Sequence, residues 1–249
     1  MTENSKLLAG RVALVTGASR GIGAALSLEL AKAGAHIVAV ARTTGGLEEL
    51  DDQIKAESGS ATLVPLDLKD TDGIARLALA LNERYGRLDV LVGNAGILPT
   101  PSPLGHIEPK IWDDVIAVNL TANWQLIRTM DALLRKSDAG RAVFVTSLVA
   151  YIARAYFGAY AASKAALDAM VRTYASECAG TKIRVNLFTP PQTRTRMMKT
   201  AFPGMDHESL PPSEVVAKAM VPLCLPDFTE NGKFYDYQSG RLQTLAPPA

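Results

Sequence analysis

The chain is poor in cysteine, in histidine and in aromatic residues, which make up 6% of its 249 positions. Its two cysteines, Cys178 and Cys224, form no Cys-x-x-Cys pair and join no Cys/His grouping. No metal site and no disulfide framework are therefore expected, and both thiols read as isolated and buried. His106 and His207 stand alone in expected loops and read as solvated, not catalytic. Neither sign of charge is in excess: 26 Lys and Arg against 25 Asp and Glu leave a net +1, with no basic block. That balance gives no reason to invoke nucleic acid or an anionic membrane. No apolar run reaches membrane-spanning length. Residues 1–8 lack a basic segment followed by a long apolar one, so no signal peptide is expected and a cytoplasmic location is the default.

What the chain does have is alternation. Apolar residues make up 48%, enough for a sizeable core, and they fall in short runs separated by longer helical patterns. Strands are expected at Val12–Thr16, His36–Ala41, Ala61–Leu66, Leu88–Val92, Arg141–Thr146 and Lys182–Phe188, with a last one at Lys233–Tyr237. Helices are expected at Gly21–Ala33, Leu47–Glu57, Asp70–Tyr85, Lys110–Arg135, Tyr156–Cys178 and Pro212–Cys224. Asp70 or Thr71 can cap the third helix and Gly86 can stop it. A proline-rich stretch fills 190–212. Continuously apolar strands joined by helices imply a parallel sheet covered on both faces. Right-handed crossovers then make an α/β fold, a doubly wound sheet of about seven strands of the Rossmann type. No repeat or linker interrupts it, so one domain over 1–249 is expected, with residues 1–8 flexible and 191–212 as a loop over the substrate.

The first strand runs into Thr16, Gly17, Ala18, Ser19, Arg20, Gly21, Ile22 and Gly23. Gly17 can make the tight turn, Gly21 lets backbone approach a phosphate, and Gly23 permits close packing of helix on strand. The helix that follows presents free N–H groups and a positive dipole end to a pyrophosphate. Such a loop can be a turn only, but after the first strand of an alternating chain it points to a dinucleotide. A carboxylate ending the second strand would bind a ribose 2′-hydroxyl. Here Ala41 and Arg42 stand there, and Arg20 sits in the glycine loop. Two guanidinium groups can clamp a 2′-phosphate, so NADP(H) is expected over NAD(H); the alternative is a solvent-facing Arg42. Asp67, closing the third strand, can accept from the adenine amino group or serve as a helix N-cap.

Tyr160 and Lys164 lie four apart in one helix, on one face, with Ser147 upstream. A free tyrosine, with a pKa near 10, is a poor proton carrier at neutral pH. A close cation favours the phenolate, and lowering the pKa by roughly three units needs about 4 kcal/mol. The pair thus suits a proton donor to a carbonyl or an acceptor from an alcohol. By itself it is a weak motif, since tyrosines beside solvated lysines are common on helices.

Taken in order, these motifs resemble those of the classical short-chain dehydrogenase/reductase family across roughly residues 8–240. Gly17, Gly21, Ile22 and Gly23 match its cofactor loop, and Asn94, Ala95 and Gly96 match its Asn-Ala-Gly element. Ser147, Tyr160 and Lys164 match its active site, Asn119 its catalytic asparagine, and Asn186 a further strand position. Segments 134–140 and 193–197 are similar to those of a proteobacterial oxidoreductase subgroup. The resemblance implies that Tyr160 is the general acid or base and that Lys164 lowers its pKa and holds the nicotinamide ribose. Ser147 would bind the substrate oxygen, and Asn119 a water that relays protons to Lys164. Ser19, Arg20, Leu68, Pro190 and Thr195 would complete the cofactor contacts. It implies a homodimer or homotetramer through the fourth and fifth helices, for which the stripe Ala159, Ala162, Ala166, Ala169 and Met170 is suited. Trp112 and Trp124 read as packing or interface residues. Two departures stand out: Pro191 where the family has glycine, and Gly93 where many relatives have asparagine. Pro191 puts the carboxamide contacts in doubt. A small carbonyl or alcohol substrate would lie against Leu98, Pro99, Val149 to Ala153, Tyr156 and the 192–212 loop. A non-catalytic dinucleotide-binding protein on the same fold is the competing expectation.

Overall fold

Residues 6–152 and 154–244 are described by a computed structural model. Among them lie eight strands: β1 Val12–Thr16, β2 His36–Ala41, β3 Ser60–Pro65, β4 Val90–Gly93, β5 Arg141–Val145, β6 Arg184–Thr189, β7 Phe234–Asp236 and β8 Arg241–Gln243. They form one sheet in the order β3-β2-β1-β4-β5-β6-β7-β8. Every neighbouring pair is parallel except β7 and β8. The eighth strand is one more than the sequence suggests; it is short and exposed along its length, so it lacks an apolar run.

The continuous apolar strands follow from burial on both faces. Val12 and Leu14 of β1 join one core with Leu77, Leu126 and Leu167, while Ala13 and Val15 join the other with Leu26, Leu50 and Met220. Burying each large aliphatic side chain of this kind contributes about 1.5–3 kcal/mol. The first core is covered by α3 (Thr71–Tyr85), α5 (Ala122–Arg135) and α7 (Gly158–Glu177), the second by α1 (Gly21–Lys32), α2 (Thr44–Ala56) and α9 (Ser213–Cys224). Asp70 caps α3 by accepting from the Gly73 N–H at 2.8 Å, and Gly86 ends it at φ 71°.

Several boundaries differ from expectation. Leu8 is fully buried and its N–H donates to Ala33 O at 2.8 Å, so it is anchored at the end of α1; residues 1–5 lie outside the described ones. The helix expected over Lys110–Arg135 is α4 (Pro109–Ile116) and α5 joined by a π-helical turn at Ala117–Thr121. The proline-rich stretch carries α8 (Arg196–Ala201), capped by Thr195. A short helix α6 (Val149–Ile152) precedes α7, which begins at Gly158 because Tyr156 takes a left-handed conformation, φ 72°. The chain steps from β1 out to β2 and β3, then returns to β4 on the other side of β1. A crevice therefore opens beyond the carboxyl ends of β1 and β4.

Candidate active site

A cleft of about 1260 Å³ occupies that crevice. Every residue singled out from the sequence as catalytic or cofactor-binding lines it, except Gly23 and Asn119, which lie behind it. At one end β1 turns into α1 through Gly17 and Gly21, at φ 66° and 59°, a region only glycine enters cheaply. A Cβ on Gly23 would come within 2.4 Å of Gly17 O, so the helix start sits hard against the turn. No side chain caps α1 and no acid stands in its first turn, leaving its N–H groups for an anion. Arg20 and Arg42 are both exposed at this end and neither forms an ion pair among the described residues. The N-terminus of α2, next to Arg42, also lacks a side-chain cap and an acid in its first turn. Asp67 accepts from the Lys69 N–H at 3.0 Å; the helix cap is Asp70. A dinucleotide phosphate therefore meets donors and no carboxylate at the turn itself, and these residues fit one.

At the other end, Tyr160 and Lys164 rise from α7. Lys164 is 2% exposed; its Nζ donates to Val145 O at 2.8 Å and lies 5.8 Å from the centre of the Tyr160 ring. Burial lowers its pKa to about 8, against the favourable charge of Asp168. Burial pushes the Tyr160 phenol up to about 12, against a hydrogen bond with Ser147. Burial of the phenol thus works against the lowering expected from Lys164 and a cationic cofactor ring. Asn119 sits in the π turn, fully buried. Its amide accepts from the Ile97 N–H at 2.8 Å and donates to Ile97 O and to Ser163 Oγ, both at 3.0 Å. Its backbone carbonyl accepts from Asn123 Nδ2 at 2.8 Å.

The supporting asparagines have structural partners. Asn94 Nδ2 donates to Thr16 O at 2.8 Å, tying β4 to β1 at the cleft floor. Asn186 donates to Glu230 O and accepts from the Lys233 N–H, holding β6 to the segment before β7. Gly93 has a steric cause: a Cβ there would stand 2.3 Å from Asn123 Oδ1 and 2.4 Å from Phe144 Cδ1. The Pro191 carbonyl accepts from Thr193 Oγ1 at 2.8 Å. Thr195 lies 3.4 Å from where a Cβ of Gly21 would stand.

A family model described as short chain dehydrogenase matches residues 11–206. The chain belongs to that family. Among its relatives, the oxidoreductase YciK of Escherichia coli K12 is 35% identical over 239 residues, 94% of each chain. A short chain dehydrogenase from Shigella flexneri 2a, complexed with NADP, superimposes with a TM-score of 0.89 at 34% identity, covering 94% of this chain and all of that one. Another, from E. coli CFT073 and complexed with NADPH, gives 0.85 at 35% identity, with 94% and 98% covered. These relatives place this short-chain dehydrogenase in the proteobacterial oxidoreductase subgroup.

Other residues of the site carry no motif in the sequence. Asp168, one turn beyond Lys164, is buried and accepts from the Tyr151 hydroxyl of α6; burial raises its pKa. The regular spacing of Tyr160, Lys164 and Asp168 along one helical face is the signal that points to it. His207 is half-buried: its Nε2 lies 2.9 Å from Phe202 O and its Nδ1 is buried. Arg194 pairs with Glu208 at 2.7 Å and donates to the carbonyls of Glu208 and Leu210, bracing the 191–212 segment. Pro99 and Tyr156 do not line the cleft, and Ala153 lies outside the described residues. Trp112 and Trp124 are exposed rather than packed. No helix among the described residues is long and apolar enough to cross a membrane.

Proposed function

We propose that this protein transfers a hydride between NADP(H) and a small carbonyl or alcohol substrate, with Tyr160 as the group that gives or takes the proton. The observation that carries this reading is the convergence of Ser147, Tyr160 and a buried Lys164 at one end of a cleft whose other end holds an uncapped helix start and two free guanidinium groups. The family membership and the relatives complexed with NADP or NADPH support it. When bound, the nicotinamide supplies or accepts the hydride. Arg20 and Arg42 hold the 2′-phosphate, the α1 amides the pyrophosphate, and Asp67 and Leu68 the adenine side. Asn94, Ala95 and Gly96 form the floor, with Pro190 and Thr195 across from them. Ser147 donates to the substrate oxygen and stabilises the charge that develops on it. Tyr160, protonated at neutral pH, donates its proton to that oxygen. Lys164 keeps its ammonium beside the phenol and the nicotinamide ribose, and Asn119 positions the proton path behind it.

The test is a pair of titrations and one variant. NADPH should bind more tightly than NADH. Tyr160→Phe should keep NADPH binding and lose turnover by on the order of a hundredfold or more. A variant that reduces carbonyls at the original rate would remove Tyr160 from this role, and failure to bind either dinucleotide would end the reading altogether. The competing idea, a non-catalytic dinucleotide binder, is disfavoured by Ser147, Tyr160 and Lys164 all lining the one cleft. For assembly we propose a homodimer or homotetramer through α4, α5 and α7, on which Trp112, Trp124, Ala162 and Ala169 are each exposed.

A further inference from the structure

We propose that the substrate end of the cleft receives a carbonyl compound bearing a carboxylate, and that Arg154 binds that carboxylate; this rests on the carbonyl-reduction reading above. Arg154 lies in the link between α6 and α7 and lines the same cleft as Ser147 and Tyr160. Its Cζ stands 5.2 Å from the centre of the Phe157 ring and 4.9 Å from that of Phe202. The two rings stack at 5.6 Å, one just before α7 and the other just after α8. The cation is thus oriented by aromatic faces from two separate parts of the chain, which limits the freedom it must lose on binding.

No carboxylate answers it among the described residues. The cleft's own acids stand on α1, α2, the end of β3 and the start of α9, as Glu29, Glu49, Asp67 and Glu214. Arg194, in the segment after β6, is already committed to Glu208. Arg196, also on the cleft, is exposed and without an ion pair, so this end carries surplus positive charge. A guanidinium over ring faces keeps its in-plane donors for a planar partner, and a carboxylate matches that fork. The backbone between Arg154 and Phe157 is held in an unfavourable state. Tyr156, a bulky residue, has φ 72°, and its carbonyl accepts from the Ser102 N–H at 3.0 Å. Strain of this kind persists where the surroundings impose it, commonly beside a ligand. Ile152 and Leu98 add apolar wall, so the body of the substrate is apolar and its acid group meets Arg154.

The experiment uses the NADPH complex. Benzoate and neutral benzamide are titrated into it by calorimetry, and 4-formylbenzoate and its methyl ester are compared as substrates. Benzoate should bind on the order of tenfold more tightly than benzamide, and the acid should exceed the ester in kcat/KM by a similar factor. Arg154→Met should abolish both preferences, and Arg154→Lys should retain part of them. Equal binding of benzoate and benzamide, or a preference that survives in Arg154→Met, overturns the proposal. So does an Arg154→Met variant that loses acid and ester turnover in equal proportion, since Arg154 would then only clamp the two phenyl rings. Benzoate binding that depends on Arg154 without reduction of either aldehyde would instead count against the carbonyl-reduction reading and leave the anion site standing.

Discussion

Among single residues, burial sets the chemistry more than proximity of charge does. Tyr160 and Lys164 share a helical face, as their spacing requires, yet the phenol is pushed up to about 12 and the ammonium down to about 8. Both shifts favour the neutral form, because both groups leave water. The sign for activity follows. Lys164 carries its charge below about pH 8 and loses it above, while Tyr160 stays protonated throughout. NADPH-dependent reduction should therefore hold level below about pH 8 and decline above it. A kcat/KM profile that stays flat well into the alkaline range would show that the Lys164 charge is not needed. Arg42 makes a second case. If it holds the 2′-phosphate, Arg42→Ala should weaken NADPH by about 1.5–3 kcal/mol and leave NADH nearly unchanged, measured by titration of each. Equal losses would assign Arg42 to the loop alone.

Most helices and strands are legible in the sequence because their patterns are long and their ends punctuated. Asp70 and Gly86 bracket α3 in the sequence and do so in the fold, with Asp70 taking the Gly73 N–H. Asp70→Ala should lower stability by about 1 kcal/mol in a denaturant titration, and no change would mean that water replaces the cap. The π turn at Ala117–Thr121 is not legible, since one extra residue in a turn leaves the apolar period nearly intact. It is that turn that aims the Asn119 amide at Ile97 and its carbonyl at Asn123. Gly93 likewise reads as a departure only until its neighbours are known. Asn123 and Phe144 both come within 2.4 Å of where a Cβ would stand at that position. Gly93→Ala should therefore cost about 1–3 kcal/mol, read as a fall in Tm. Helix α8 has no sequence signal, because six residues within a proline-rich run carry no period.

In the molecule as a whole, the alternation of strands and helices implies a doubly wound sheet, and the β1/β4 crossover point locates the cleft. Assembly belongs to this level too. Trp124 is 46% exposed on α5, one of the helices of the proposed assembly, so that assembly predicts that a second copy covers it. Light scattering during gel filtration should give a multiple of the monomer mass, and Trp124→Glu should shift it toward the monomer. A monomeric wild type would overturn the proposed assembly.

The fold class, the glycine turn and the residues of the proposed Ser147, Tyr160 and Lys164 site can all be read from the linear order of residues, because each depends on local spacing within one strand, turn or helix. Folding adds how far burial moves Tyr160 and Lys164, the place of Asp168 behind Lys164, and the placing of Arg154 against the stacked rings of Phe157 and Phe202. Those properties depend on segments far apart in the chain coming together and excluding water, and no local pattern encodes the solvent a side chain will lose.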